Sequence, residues 1–272
     1  VDARTASSIF SRGRILRLSS GDTTYLSRIK ESYLQSSFDL TPANILRLTY
    51  CKLASEYPFE YIIKNEIAKK LFLNLHGSDD ATLISELRAG KSKADTVIFN
   101  GQSTCYEIKS KYDSHKRLNT QLKDYSKVFD RVFVVYASEI EQTIISNTPS
   151  SIGLIRVSKN QHLETVREPR EGLKDINMML DSLRTEEKLY ICENLGSAIP
   201  RSTPNMKIGQ AVREVIKKTD IEEFNKLYIH AMKAFRSSPK IWIKNLPKSL
   251  TAAATTYSFN KPQQEALLQI FK

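Results

Sequence analysis

A chain of 272 residues with 40% hydrophobic content can build one large domain or two modest ones, and its 26% charged residues are ordinary for a globular protein. The net charge of +11 and a pI near 9.4 point to a polyanionic partner, nucleic acid before a membrane surface or an acidic protein. Cys51, Cys105 and Cys192 lie far apart, leaving no zinc cluster or disulfide framework to read and fitting a reducing cytoplasm; no stretch approaches the roughly 20 apolar residues that span a bilayer.

The start, Val1-Asp2-Ala3-Arg4, has neither an initiator Met nor an apolar signal segment, so a processed or cloning-defined end is expected. Short apolar patches in the first fifty residues predict loose helices, with Thr41-Pro42 as N-cap and first helical residue. From Glu56 to Leu73, the apolar residues Phe59, Ile62, Ile63, Ile67 and Leu71 recur at helical spacing. Next come a strand in ATLISELR, a hairpin, a helix over about 116–129, the strand RVFVVYAS, a short helix over about 139–146 and the strand SIGLIRVS. The order α-β-β-β-α-β-α-β predicts an α/β fold, a mixed β-sheet flanked by helices. Beyond Pro169 helices broken by prolines are expected, giving three regions: a helical N-terminal extension (1–55), the α/β core (56–168) and a mostly helical basic C-terminal region (169–272).

That last region is the most basic. From Arg201 onward 13 Lys and Arg face 5 Asp and Glu. Lys233, Arg236, Lys240, Lys244 and Lys248 surround Trp242, a set that suits phosphates and a stacked base equally as well as a solvated surface over a core tryptophan.

The hairpin, Lys93 to Asp113, carries the chemistry. Asp95 opens one arm and Glu107-Ile108-Lys109 lies in the other, where simple alternation would turn Glu107 and Lys109 to water. A two-residue Asn100-Gly101 loop would put Asp95 and Glu107 on opposite faces. A three-residue loop ending in Gly101 would bring Asp95, Glu107 and Lys109 to one face, and this odd connection is the expectation. Glu66 sits inside the apolar stripe of the preceding helix, where a carboxylate needs a cation or metal, or a partner such as Lys70; Glu60 and Glu86 are further acids nearby. Gln121 and Tyr125 are neighbours at i and i+4 on the helix that follows. Lys91, Lys93, Lys111, Lys116 and Arg117 crowd the hairpin and its exits, ready for phosphate.

Asp95, Glu107-Ile108-Lys109 and QLKDY on the next helix resemble the core of the PD-(D/E)XK nuclease superfamily, the restriction-endonuclease-like fold. The likeness is closest to small bacterial and phage-associated members with a Q-x-x-x-Y helix, here Gln121 and Tyr125. It covers roughly residues 56–158, with Ala94 where the motif's name has proline. The resemblance implies a Mg²⁺- or Mn²⁺-dependent deoxyribonuclease serving phage defence, a mobile element or DNA processing. Its catalytic residues would be Asp95, Glu107, Lys109 and Gln121, and its metal ligands Glu66, Asp95, Glu107 and the Ile108 carbonyl. Lys91, Lys93, Lys111, Lys116, Arg117 and Tyr125 would meet DNA or, alternatively, RNA. A binding module on the same fold that grips nucleic acid or protein without cutting is the rival reading, and either is compatible with a homo-oligomer. Four scattered histidines and no nucleophile elbow give a Ser- or Cys-based hydrolase no footing.

Overall fold

The computed structural model describes residues 1–74, 81–200, 202–237 and 240–272, without the side chains of 74, 205, 240 and 241. Four helices open the chain: α1 (Ala3–Ser7), α2 (Arg12–Ser19), α3 (Thr24–Ser32) and α4 (Pro42–Glu56). The Thr41 hydroxyl accepts from the Asn44 amide, capping α4 with Pro42 in its first turn. The long helix expected from Glu56 is interrupted at Tyr57-Pro58, because proline cannot continue the ladder. A new helix, α5 (Glu60–Ile67), starts after the break and widens into a π-helical stretch, Ala68–Asn74.

The sheet has six strands in chain order: β1 (Thr82–Ala89), β2 (Ser92–Phe99), β3 (Ser103–Lys109), β4 (Arg131–Ala137), β5 (Gly153–Val157) and β6 (Leu163–Arg167). The first three form an antiparallel meander, β3, β4 and β5 run parallel, and β6 returns antiparallel. Helices α6 (Leu118–Tyr125) and α7 (Glu141–Asn147) make the two crossovers. The mixed α/β architecture is as expected. The edge strand β6 was not anticipated; it is short, and its three central residues are exposed.

Helices α8 (Ile176–Ser182), α9 (Thr185–Asn194), α10 (Asn205–Ile216) and α11 (Ile221–Arg236) follow, then α12 (Lys240–Lys244), α13 (Thr251–Thr256) and α14 (Lys261–Ile270). Residues 169–272 do not form one unit. The helices α8 to α11 share a core with α6 and one face of the sheet, through residues such as Leu122, Val134, Met179 and Phe224. Trp242, Ile243, Leu250 and Leu267 instead pack with Phe10, Ile29, Leu46 and Leu53 of the N-terminal helices. Trp242 is therefore a core residue, set edge-on to Phe259 and only 7% exposed, and has no free face for a base. The side chain of Lys240 lies outside the described residues.

The second sheet face is covered by α5 and its π-helical continuation, through Ile63, Ile67 and Phe72 against Ile98, Ile108 and Val135. Strand β3 is thus sandwiched between helical layers, and all seven of its residues are buried. Glu107 and Lys109 do not face water.

Candidate functional site

The β2/β3 register relates the polar groups that the two strands carry. Phe99 pairs with Ser103, leaving the three-residue connection Asn100-Gly101-Gln102. Gly101 stands in the middle of that loop, one place earlier than expected, with φ +102°, a conformation glycine adopts without strain. The connection has the odd length that puts Asp95, Glu107 and Lys109 on one face, the face covered by α6. Opposite Asp95 on β1, Glu86 has φ +55°, and the β1/β2 ladder breaks between Ser85↔Thr96 and Leu87↔Ala94. Such irregularities re-aim side chains beside functional sites.

The hydrogen bonds fix the arrangement. Asp95 Oδ2 accepts from the Ile108 amide at 2.7 Å. Lys109 Nζ lies 2.6 Å from Glu107 Oε1 and 3.3 Å from Gln121 Oε1. The Tyr125 hydroxyl lies 2.9 Å from Glu107 Oε2 and 2.7 Å from the Lys93 carbonyl, with Gln121 Nε2 3.4 Å away. After β3, Asp113 Oδ2 accepts from the amide and hydroxyl of Ser110, both at 2.7 Å, and closes the chain into a turn under the cleft. Ile108 buries its side chain on the opposite face, so only its backbone meets the cleft.

Two adjoining clefts, of about 510 Å³ and 700 Å³, share Asp95, Arg117 and Gln121. Glu60, Glu107, Lys109 and Lys116 line the first, and Lys91 and Lys93 line the second. Lys111 is not brought here: it lies over the Tyr112 ring and lines a separate pocket with Pro58 and Gln161. Tyr125 is fully buried, so it cannot touch nucleic acid; it holds Glu107 in place.

The helical acid of the cleft is Glu60, at the start of α5. Glu66 is occupied elsewhere, with Lys69 at 2.6 Å, Lys70 at 3.2 Å and the Tyr50 hydroxyl at 2.8 Å. Burial opposes ionisation of Glu66, but these donors outweigh it and hold its pKa below the ordinary value. Burial, then the charges of Glu107 and Glu60, push the Asp95 carboxyl well above the usual carboxylate range. Glu60 is raised for the same first reason, with Lys64 opposing and Asp113, Glu86 and Glu107 adding to the shift.

Sequence reading did not single out Lys64, a buried lysine of α5 that lies 3.6 Å from Glu86. The i+4 spacing from Glu60 was the available signal. Among the described residues no three His, Cys, Asp or Glu side chains converge as a ready metal cage. The hard oxygens of Asp95 and Glu107, with the Ile108 backbone, nevertheless suit Mg²⁺ or Mn²⁺, which keep water in their coordination shell.

Fold and site together define an α/β protein whose central strand carries a buried carboxylate and lysine pair at the floor of a basic-rimmed cleft. The family model described as Bacteriophage P4 protein cII matches residues 54–254, and the chain belongs to that family. Protein cII of Enterobacteria phage P4 is 35% identical over 83 residues, which is 30% of this chain and 31% of that protein, so the match spans less than a third of the relative's length. The solved SPO1766 protein of unknown function from Silicibacter pomeroyi is 17% identical and aligns with 44% of this chain and 77% of its own, at a TM-score of 0.34. Among the described residues no helix is long and apolar enough to cross a membrane.

Proposed function

We propose that the cleft is the active site of a metal-dependent nuclease that hydrolyses DNA phosphodiester bonds. The observation that carries this reading is the convergence of Asp95, Glu107 and Lys109 on one face of β2/β3, with Gln121 above them. The antiparallel meander followed by a parallel β4, with α5 and α6 on opposite faces, supports the resemblance to PD-(D/E)XK nucleases on which the reading also rests. Membership of a family named for a phage protein suits a role in phage or mobile-element biology.

A bound divalent cation would supply positive charge against the scissile phosphate. The chain's own residues do the rest. Lys109, anchored by Glu107 and Gln121, presents its ammonium to the charge that develops on the phosphate oxygens. Gln121 orients the attacking water or the neighbouring backbone. Lys91, Lys93, Lys116 and Arg117 hold flanking phosphates and fix register without reading bases.

The non-cleaving reading draws on one feature: Glu107 already has both oxygens engaged, by Lys109 and Tyr125. Incubation with supercoiled, linear and single-stranded DNA and with RNA separates the two, using Mg²⁺, Mn²⁺ or EDTA. Metal-dependent cleavage of DNA that falls by at least about 100-fold in Asp95→Asn and Lys109→Ala is expected. Tight binding with no cleavage under any condition would establish the non-cleaving module instead, and cleavage confined to RNA would reassign the substrate.

A further inference from the structure

A third cleft, about 590 Å³, runs along the outer edge of β1. Leu83 to Arg88 form one wall, ~20 Å of strand at about 3.3 Å per residue. The other wall comes from the ends of α11 and α13 and the loop after α13. Glu86 lines both this groove and the cleft that holds Asp95, so the two share a wall residue at the break in the β1/β2 ladder.

The lining has two chemistries. Arg88 and Arg184 are exposed, and neither makes an ion pair among the described residues. Phe235, 44% exposed, and the half-buried Tyr257 and Phe259 add aromatic surface. Guanidinium groups beside partly open rings suit a backbone of phosphates whose bases are free to stack. A duplex keeps its bases paired and stacked, so aromatic side chains reach them only when the strands are apart. Glu86, at the junction, has Lys64 within 3.6 Å to offset its charge.

We propose that this groove binds single-stranded DNA and leads it past Glu86 to the Asp95 cleft, so that the substrate carries an unpaired segment. The proposal rests on the nuclease reading for its direction of travel, but binding can be measured without cleavage. Fluorescence anisotropy of the full chain in EDTA, with a labelled 20-nucleotide DNA strand, its blunt duplex and the RNA of the same sequence, tests it. The single DNA strand is expected to bind about tenfold tighter than the duplex, the preference of a stacking groove, and at least as tightly as the RNA. Arg88→Ala/Arg184→Ala should flatten the dependence of log K on log salt by about 1.4, two phosphates at roughly 0.7 each. Phe235→Ala should weaken strand binding by about fivefold. All three positions are at the surface, and melting curves check that the variants fold. Equal affinity for strand and duplex, a preference for RNA, or strand binding unchanged in the arginine and phenylalanine variants would overturn the proposal. Cleavage of the same strands in Mn²⁺, scored separately, reports on the nuclease reading alone.

Discussion

Strand β3 has a carboxylate network at each of its ends, and the two are built on opposite terms. Beside its first residue, Asp130 is only 4% exposed and fully partnered. Its Oδ2 accepts from the amide and hydroxyl of Ser103 at 2.7 and 2.8 Å, and its Oδ1 from Asn225 at 2.8 Å and Lys174 at 2.9 Å. Burial works against the charge, yet those donors hold the Asp130 pKa below the ordinary carboxylate value. Beside the other end of β3, Asp95 is largely buried and crowded by Glu107 and Glu60, and its pKa is pushed up. The first network ties β3 to α11 and to the segment before α8, and stabilises the fold. The second keeps acidic groups together at a cost in stability, the contrast on which the proposed function draws.

The sharpest way to break this comparison is at Asp130. Asp130→Asn turns an amide nitrogen toward one pair of the donors that the carboxylate accepts from, and leaves the buried Lys174 ammonium only the exposed Glu222 at 3.7 Å. A loss of about 3 kcal/mol is expected in urea unfolding. A depressed carboxyl contributes stability that is present above the unfolded value near 3.9 and lost as pH falls through the folded value, so the penalty should shrink in acid. A smaller effect belongs to Tyr125→Phe, which removes the hydroxyl between Glu107 and Lys93 and should cost about 2 kcal/mol while lowering cleavage. If stability fell and cleavage per folded molecule did not, Tyr125 would be a packing residue only.

Asp95→Asn has the smallest expected effect on stability, with the opposite sign. A carboxyl whose folded pKa is raised holds its proton more tightly when folded, so stability declines as pH climbs from about 3.9 to the folded value and stays lower at neutral pH. Removing the charge should therefore raise stability at pH 7 in EDTA by about 1 kcal/mol, or roughly 2–4 °C in Tm, with the gain fading towards pH 4. A destabilised Asp95→Asn would make Asp95 a structural acid like Asp130.

Much of this was legible in the chain. Strands β1 to β5 stand where β-branched and aromatic runs stand, and an odd hairpin connection is what Asp95 and Glu107 need to share a face. The depth of burial was not legible. Alternation in Tyr106-Glu107-Ile108-Lys109 reads as half-exposed, and only the helical layers on both faces bury Glu107 and Lys109. The same packing misled the choice of helical acid. Helix α5 lies between the sheet, through Ile63 and Ile67, and the N-terminal helices, through Ile62, so a place deep in its stripe does not rank Glu66 over Glu60. Lys111 and Lys116 look alike in sequence, yet the Ser110–Asp113 turn sends them to different pockets. Trp242 has basic neighbours in sequence, but its ring packs edge-on against Phe259 inside a cluster that includes Phe10 and Ile29, more than two hundred positions earlier, a burial no local pattern encodes.

Thermal unfolding across a titration of Mn²⁺ tests the central contrast most directly, with wild type, Asp95→Asn and Asp130→Asn side by side. The cation should raise the stability of wild type and of Asp130→Asn, by about 2.7 kcal/mol at a hundred times its dissociation constant, and leave Asp95→Asn unmoved. A wild type indifferent to the cation, or an Asp95→Asn stabilised as much as wild type, would contradict the assignment of these carboxylates to a cation-dependent site.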